Sequence, residues 1–500
     1  MARWAGGAAA AAALAGGALA LNRHLVGVFY DDGLYAGLAL ALARGAGYVH
    51  LHLPDAPAAV HYPPLYPLLL APIFGTLPVD AAALVGKLVN LALGTVAAGL
   101  IAWHAARARL LGPAPWWLAA VVVAASTVAI PVLTVQAVLF SEPLWSALFA
   151  GAIVVADRPP RRLTPAAAYA VAGGLAALAL LTRTIGVAAG VGLPLFLLAV
   201  RRESWRRVLV LVAPVGLAGL GWGLWVAAHR AGIDPAVGFS YGGYGEVFRQ
   251  AGLSFLTVSL PDLPRPLAAI TLAWLPAGLP RVAFGAAALA LVLLGLAVLV
   301  RRSSVGGTLL LYLAIVGIWP YVPDRFLWAV LPWLGLALAA GAVEAWRRRR
   351  LQLPVALVVA AVAFGYARYE GRGLAGHTWD AAARAISDNF RELVPGLEAL
   401  PPDAVIASDD EALVWLYTGR RAVPLALFAW RGRVEAVPDP RDHRAYLERQ
   451  RVTHVLLASA TGGTARQLRA LIAAYPGWLV PIRGWPGGRW LFEVRDHRPA

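Results

Sequence analysis

The sequence predicts an α-helical polytopic membrane protein that ends in a small α/β domain. Hydrophobic residues make up 60% of the 500 positions and charged residues only 14%, and the mean hydropathy is +0.66. These values exceed what the core of a soluble protein needs. Beyond about residue 368 charged and apolar residues are mixed, as in a soluble domain. The sequence has no cysteine, which excludes thiol chemistry and disulfide bonds.

Eleven apolar stretches are long enough, or nearly so, to cross a bilayer as helices. They are residues 5–27, 83–103, 116–133, 143–156, 166–182, 184–200, 208–228, 282–300, 306–320, 326–345 and 352–368. The stretches that flank Arg183 and the stretch 306–320 are short, so they could be tilted, broken or re-entrant. We therefore expect about 11 transmembrane helices in a domain of residues 1–368. Its first helix also suits a secretory signal, but we expect it to stay uncleaved.

Arginines are concentrated in every second loop between these stretches. They are Arg107, Arg109, Arg158, Arg161, Arg162, Arg201, Arg202, Arg206, Arg207, Arg301, Arg302 and Arg347 to Arg350. The positive-inside rule assigns such loops to the cytoplasm. The N-terminus is then cytoplasmic, and residues 28–82, 229–281 and 369–500 are extracytoplasmic. The net charge of +16 therefore needs no nucleic-acid partner.

Two long extracytoplasmic loops are the expected places for function. In loop 28–82, Tyr35, Leu38 and Leu42 follow the pattern of an amphipathic helix in the membrane interface, and prolines end this pattern further on. In loop 229–281, residues 238–245 are rich in glycine and aromatic residues. That segment suits either a lid that closes over a ligand or a mobile linker.

The last 132 residues, 369–500, are predicted to form an α/β domain. The pattern indicates helices at 379–397, 410–418 and 464–475 and strands at 404–408, 452–458 and 490–494. No glycine-rich phosphate loop follows the strand at 404–408, so we assign no nucleotide site there. Asp409, Asp410 and Glu411 suit the acidic first turn of a helix.

Charged residues lie at the extracytoplasmic ends of several predicted spans. They are Asp31, Asp32, Glu142, Arg183, Asp324 and Arg325. Each one alone is more often an anchor at the membrane surface than a ligand. On one membrane face, however, acids suited to proton transfer and arginines suited to an anionic leaving group would share a site.

Five short motifs resemble those of the GT-C superfamily of integral membrane glycosyltransferases. The branch includes the protein O-mannosyltransferases, the aminoarabinose transferase of lipid A and related lipopolysaccharide glycosyltransferases. The motifs are Asp31-Asp32-Gly33-Leu34-Tyr35-Ala36, Tyr62-Pro63-Pro64-Leu65-Tyr66, residues 139–144, residues 181–186 and Asp324-Arg325-Phe326-Leu327. The resemblance covers roughly residues 20–345, and the tail with Tyr417 to Arg421 resembles the outer domain of many such proteins.

The resemblance implies an inverting glycosyltransferase that moves a sugar from a polyprenyl-phosphate donor to an acceptor hydroxyl outside the bacterial inner membrane. Asp31 matches the first acid of the family's pair, which is the usual catalytic base. Asp32 would orient the acceptor or Asp31. A carboxylate beside an oxocarbenium-like transition state suits this chemistry, because it removes the acceptor proton and offsets positive charge.

Arg183 and Arg325 are the candidates for binding the donor phosphate, since a phosphate at the bilayer edge requires guanidinium donors. Glu142, His61, Tyr62 and Tyr66 are candidates for acceptor or substrate binding. The family often has lysine where this chain has Tyr62, and His61 could replace that cation. Glu142 could also hold a metal. No histidine and carboxylate spacing demands one, so no cofactor is assigned and a divalent metal stays open.

Two other functions remain open from the sequence. A transporter or flippase of a lipid-linked intermediate would also place charges near lipid phosphates, but it predicts inverted repeats and ionisable residues at the bilayer midplane. A non-catalytic assembly subunit with this fold predicts that Asp31 matters for stability alone. The expected partners are the lipid-linked donor, membrane lipids and a lipid, glycan or protein acceptor.

Overall fold

The structure is a computed structural model that describes residues 1–319, 321–431 and 434–495. It divides into two compact units. Unit 1 contains residues 1–21, 87–223 and 255–380, and unit 2 contains residues 22–86, 224–254 and 381–500. The domains expected from the sequence, residues 1–368 and 369–500, stay predictions.

Helices predominate along the chain. In order they are α1 (Ala2–Ala20), α2 (Asp31–Ala43), α3 (Leu65–Thr76), α4 (Val79–Arg107), α5 (Trp116–Thr127), α6 (Ile130–Ala137), α7 (Glu142–Asp157), α8 (Pro165–Thr182), α9 (Val187–Ala199), α10 (Trp205–His229), α11 (Gly238–Tyr241), α12 (Tyr244–Ala251), α13 (Ser254–Asp262), α14 (Arg265–Thr271), α15 (Leu279–Arg302), α16 (Ser304–Gly317), α17 (Asp324–Ala329), α18 (Leu331–Trp346), α19 (Gln352–Ala375), α20 (Ala381–Glu398), α21 (Glu411–Thr418), α22 (Pro440–Arg449) and α23 (Gly463–Ala474).

Five helices among the described residues are long and apolar enough to cross a membrane, namely α4, α8, α10, α15 and α19. A sixth span results if α5 and α6, which meet at 54°, are counted together. The prediction of a mostly helical membrane protein is confirmed. Every predicted apolar stretch coincides with one or more helices, but several are short, and the total of about 11 transmembrane helices stays a prediction.

Glycines bring the backbones of α15 and α18 into contact in unit 1. A Cβ atom at Gly295 would lie 1.7 Å from the carbonyl oxygen of Ala337, and one at Gly341 would lie 1.8 Å from that of Leu291. Small residues allow this close approach, on which apolar helices depend because lipid leaves them little hydrophobic driving force to associate. The positions of these helices are therefore fixed by backbone packing.

Helix ends place the charged candidates of unit 1. Glu142 begins α7, Arg183 follows the last residue of α8, and Arg325 is the second residue of α17. Buried aromatic rings pack α7 against α16. Trp145 of α7 stacks on Phe149 of the same helix at 4.5 Å between centroids and contacts Tyr312 of α16.

Unit 2 contains a five-stranded sheet built from β1 (Val405–Ser408), β2 (Arg421–Pro424), β5 (His454–Leu457), β6 (Leu479–Trp485) and β7 (Arg489–Val494). A hairpin of β3 (Ala429–Arg431) and β4 (Val434–Ala436) lies outside this sheet. The strand order is β2-β1-β5-β7-β6, with parallel pairing of β1 to β2 and β5 and antiparallel pairing in the remainder. The predicted helices and strands of this segment are confirmed.

The sequence patterns did not predict β2, β3, β4, β6 or α22. Strand β6 is mostly exposed and carries an irregularity between Pro481 and Arg483, so its apolar alternation is weak. Helix α22 is strongly polar, and β2 is only four residues long. Each element depends on its neighbours more than on its own pattern.

Both long loops contain helices. Helix α2 forms where predicted, but residues 32–41 are all buried, so the prediction of an amphipathic interface helix is wrong. Glycine and alanine supply the small surfaces that let α2 be enclosed on all sides. Residues 238–245 form α11 and the start of α12, and Tyr241 is fully buried.

Candidate active site

A strained turn directly precedes Asp31. Tyr30 has φ 65° and ψ −70°, and the backbone N–H of Asp31 donates to the carbonyl of Phe29 at 2.7 Å. This is the classic γ-turn, which is rare and strained for a residue with a Cβ atom. Such conformations persist only where the surroundings hold them, and they are concentrated at functional sites.

Asp32 stabilises the turn from the other side. Its Oδ2 accepts from the backbone N–H of Gly27 at 2.8 Å, and its Oδ1 accepts from that of Phe29 at 2.9 Å. The carboxylate is 1% exposed and lies in the first turn of α2, where the helix dipole favours negative charge. These contacts orient Asp31 through the backbone.

Tyr62 contacts Asp31 directly. Its hydroxyl donates to Asp31 Oδ1 at 2.7 Å. Burial, with the nearby Asp31 carboxylate as a second cause, raises the pKa of Tyr62 well above its usual value, so the phenol stays protonated. Its ring packs edge-on against Tyr35 at 5.2 Å, and Tyr35 packs in the same way against Tyr66 at 5.0 Å. Tyr66 thus supports Tyr62 through Tyr35.

His61 connects this loop to the segment that begins α12. Its Nδ1 lies 2.8 Å from the carbonyl oxygen of Gly242, so this nitrogen carries the proton, and its ring lies 4.7 Å from that of Tyr244. Burial lowers the pKa of His61, although the Gly242 carbonyl and Asp31 act in the opposite direction. His61 is therefore neutral near pH 7.

A buried group of ionisable residues lies beneath the turn. The Tyr241 hydroxyl donates to Glu411 Oε1 at 2.5 Å, and His52 Nε2 lies 2.9 Å from the same hydroxyl. Since the one hydroxyl proton goes to Glu411, His52 supplies the N–H of the second bond. The Glu411 and Tyr241 side chains are fully buried, and His52 is 1% exposed.

Burial makes this group largely uncharged at neutral pH. It raises the pKa of Glu411 to about 8 and lowers that of His52 to about 3. It also raises the pKa of Asp410 well above its usual value, with further contributions from Asp409, Glu411 and Asp32. Sequence reasoning missed Glu411 as more than a helix-terminal acid, because its partner Tyr241 is 170 positions away.

The charged candidates of unit 1 form one cluster. Glu142 Oε1 accepts from Arg183 Nη1 at 2.8 Å and from Arg325 Nε and Nη2 at 3.0 and 2.8 Å. The Glu142 side chain is 2% exposed, against 13% for Arg183 and 32% for Arg325. One buried carboxylate thus serves two more exposed guanidinium groups.

Aromatic rings hold both arginines in place. The Arg325 guanidinium lies 3.6 Å from the ring centroid of Phe140, and that of Arg183 lies 5.1 Å from Phe326. Arg183 also donates to the Ser141 hydroxyl at 3.2 Å. Planar guanidinium groups fixed in this way are suited to binding the oxygens of a phosphate.

The structure thus groups the predicted residues within each unit. Asp31 and Tyr62 are in direct contact in unit 2, where the ring of His61 packs against Tyr62 and that of Tyr66 against Tyr35. Glu142, Arg183 and Arg325 meet in unit 1. Among the residues that the structure describes, no three histidine, aspartate or glutamate side chains are placed to hold a metal ion.

Known structures are similar to this chain in fold. ArnT from Cupriavidus metallidurans in the apo state has a TM-score of 0.52 and 15% identity, with 96% of each chain covered. The archaeal oligosaccharyltransferase AglB from Archaeoglobus fulgidus, in complex with an inhibitory peptide and a dolichol-phosphate, has a TM-score of 0.51 and 13% identity, with 99% of this chain and 74% of that chain covered. No protein-family model and no curated protein sequence matches the chain.

Identity this low shows the fold alone. The two similar structures cover nearly all of this chain, both the helical segments and the C-terminal sheet. The resemblance that the sequence motifs indicated is therefore confirmed at the level of the fold, which this chain shares with ArnT and AglB.

Proposed function

We propose that this protein is an inverting glycosyltransferase that transfers a sugar from a polyprenyl-phosphate donor to an acceptor hydroxyl at the extracytoplasmic face of the bacterial inner membrane. The observation that carries the proposal is the set of contacts that hold Asp31 in place. A strained turn, the backbone contacts of Asp32 and the phenol of Tyr62 fix one carboxylate at the start of α2. The fold shared with AglB, whose structure contains a dolichol-phosphate, supports a lipid-linked donor.

Asp31 acts as the general base. It accepts the proton of the acceptor hydroxyl as that oxygen forms a bond to the anomeric carbon of the sugar. On the opposite face, the bond from the anomeric carbon to the phosphate oxygen breaks, and the polyprenyl phosphate leaves with the electron pair. Attack from the opposite face inverts the anomeric configuration. The carboxylate also offsets the positive charge of the oxocarbenium-like transition state.

Arg183 and Arg325 stabilise the leaving group. The donor phosphate carries one negative charge as a diester and gains a second as the monoester leaves, so guanidinium donors bind the product side more strongly. Glu142 is a positioning residue in this proposal, because both arginines donate to its Oε1. This role replaces the acceptor or metal contact that the sequence suggested for Glu142.

Two of the residues proposed to bind the acceptor, Tyr62 and His61, are uncharged. Tyr62 stands where related proteins often have lysine, and His61 is neutral because burial lowers its pKa. These two residues therefore offer hydrogen bonds rather than positive charge to the acceptor. This favours an acceptor whose reactive hydroxyl lies away from any phosphate, whether it belongs to a lipid, a glycan or a protein.

The test is transfer from radiolabelled polyprenyl-phosphate sugars in proteoliposomes. We expect Asp31→Asn to lower the transfer rate by about 10²- to 10⁴-fold, the usual contribution of a general base. The matched control is Asp55→Asn, an exposed acid of the same loop, which should transfer at the rate of the unmodified protein. Thermal unfolding of both variants checks that they fold equally well.

Other results would replace the proposal. If labelled donor crosses the membrane without transfer and Asp31→Asn moves it equally fast, the protein is a transporter or flippase. If no donor is used or moved and Asp31→Asn changes only the unfolding temperature, the protein is a non-catalytic subunit with this fold.

A further inference from the structure

Tyr30 is the residue on which the orientation of Asp31 depends. It is the central residue of the γ-turn, and its positive φ is unfavourable for a residue with a Cβ atom. Its hydroxyl is buried, and its ring meets that of Tyr241 edge-on at 6.2 Å between centroids. Burial, and after it the charge of Glu411, raises the pKa of Tyr30 well above its usual value, while Tyr241 acts in the opposite direction.

Glu411 anchors Tyr241 from the C-terminal segment of the chain. Its carboxyl group accepts from the Tyr241 hydroxyl at 2.5 Å, and the residue is fully buried. Burial of an acid is unfavourable unless it is hydrogen-bonded, so a Glu at this position requires a reason. Neither the base nor the phosphate-binding role in the proposed reaction uses it.

The helical turn that carries Glu411 also packs against the backbone on both sides of Asp31. A Cβ atom at Gly27 would lie 2.7 Å from Leu413 Cβ, and one at Gly33 would lie 3.0 Å from Ala412 Cβ. Gly27 has φ +99°, which favours glycine. The start of α21 is thus in contact with the segment from Gly27 to Gly33.

We propose that Glu411 is a positioning residue for Asp31, which it controls by holding Tyr241 against Tyr30 and so fixing the γ-turn from which Asp31 follows. The effect on transfer rests on the proposed function, since it requires Asp31 to be the base. The effect on the turn does not. The inference gives the C-terminal α/β segment a direct part in the geometry of the acidic loop.

Three variants of the full-length protein test this inference in proteoliposomes. Glu411→Ala removes the acceptor of the Tyr241 hydroxyl, Tyr241→Phe removes the donor, and Glu411→Gln keeps an oxygen that can accept the same bond. Glu448→Gln is the matched control, because Glu448 is half-exposed on α22 and pairs with Arg444. Amide hydrogen exchange over residues 26–35 and the steady-state rate constants are measured for all four.

We expect Glu411→Ala and Tyr241→Phe to speed the exchange of the Phe29 and Asp31 amides by about tenfold, the effect of one lost buried hydrogen bond. The same two variants should lower kcat by up to about 100-fold with little change in KM, because the base is displaced while the substrates still bind. Glu411→Gln should stay close to the unmodified protein, and Glu448→Gln should match it.

Two results separate this inference from the proposed function. If Asp31→Asn abolishes transfer while Glu411→Ala and Tyr241→Phe leave exchange and kcat unchanged, the inference is overturned and the function stands. If exchange rises as expected but no sugar is transferred by any form of the protein, the proposed function is overturned and the positioning contact stands. Should Glu411→Ala fail to fold, Tyr241→Phe gives the same two answers.

Discussion

The hydroxyl of Tyr62 donates a 2.7 Å hydrogen bond to Oδ1 of Asp31, across 31 positions of sequence. Asp31 and Tyr35 lie one helical turn apart on α2, and the ring of Tyr35 packs against that of Tyr62. Helix α2 therefore carries Asp31 and, through Tyr35, also supports the ring of Tyr62. The distance between the Asp31 carboxylate and the Tyr62 hydroxyl is fixed by this one helix.

Tyr62→Phe should lower the rate of sugar transfer while leaving the ring contacts intact. A hydrogen bond to a charged group contributes about 1.5–3 kcal/mol, and we expect a loss in kcat of about tenfold because part of that energy orients Asp31. Steady-state transfer in proteoliposomes measures the loss. Tyr475→Phe, at the end of α23, removes a phenol elsewhere in unit 2 and should have no effect; equal rates for the two variants would show that the Tyr62 bond is not used.

Glu142→Ala should destabilise the protein strongly. Arg183 and Arg325 would lose the carboxylate that both contact, and breaking a buried ion pair by removing one partner costs about 3 kcal/mol or more. Thermal unfolding in detergent measures the change. Because the two guanidinium groups then lack the Glu142 carboxylate, added inorganic phosphate should raise the unfolding temperature of this variant more than that of the unmodified protein.

A surface pair provides the control for that experiment. Glu344 pairs with Arg347 at 3.2 Å, and both side chains are partly exposed, by 34% and 53%. Glu344→Ala should change stability by less than about 1 kcal/mol, and its response to phosphate should equal that of the unmodified protein. An identical phosphate response in the two variants would rule out an anion site at Arg183 and Arg325.

Gly33→Ala and Gly37→Ala should have opposite effects although both lie in α2. A Cβ atom at Gly33 would meet the Gly27 backbone at 2.8 Å, whereas one at Gly37 would make only an ordinary contact with Trp415 at 3.7 Å. We expect Gly33→Ala to cost about 1–3 kcal/mol through overpacking. Gly37→Ala should be neutral or stabilising by up to about 1 kcal/mol, since alanine favours helix. Thermal unfolding compares them, and a stable Gly33→Ala variant would contradict the close approach to Gly27.

Glu411 should make stability depend on pH in a defined window. Burial raises its pKa from the usual 4.5 to about 8 in the folded protein, so between these values the folded protein binds a proton that the unfolded chain has lost. The free energy of unfolding contributed by this group therefore falls as pH rises from about 4.5 to about 8 and stays constant above that.

Glu411→Gln cannot ionise and should remove this part of the pH dependence. The groups that act on Glu411 are Tyr241, Tyr30 and Asp409, which lies two residues before α21. Asp410 and Tyr446 also interact with its charge. Unfolding temperatures between pH 5 and 9 give the difference between the two proteins. A difference that does not change with pH would mean that Glu411 is ionised throughout.

Much of this protein follows from local patterns. The spacing of apolar residues predicted the helices, since helix formation in an apolar environment depends on the segment itself. Asp31, Glu142, Arg183 and Arg325 stand out for the same reason, because charge is rare in such segments. The contacts of Tyr62 with Asp31, and of Glu142 with both arginines, join residues that are far apart in the sequence. Sequence spacing alone could not predict these contacts.

The sequence by itself determined that the chain is a helical membrane protein with an acidic pair, Asp31 and Asp32, after its first apolar segment, because hydrophobic length and rare charges are properties of single segments. Only the tertiary structure decided that α2 is enclosed, that Asp32 binds backbone amides and that Glu411 lies beneath the turn. These features arise from contacts between residues as far apart as Tyr241 and Glu411. Such contacts form when burial makes an unpaired polar group costly, and burial is decided by the fold as a whole.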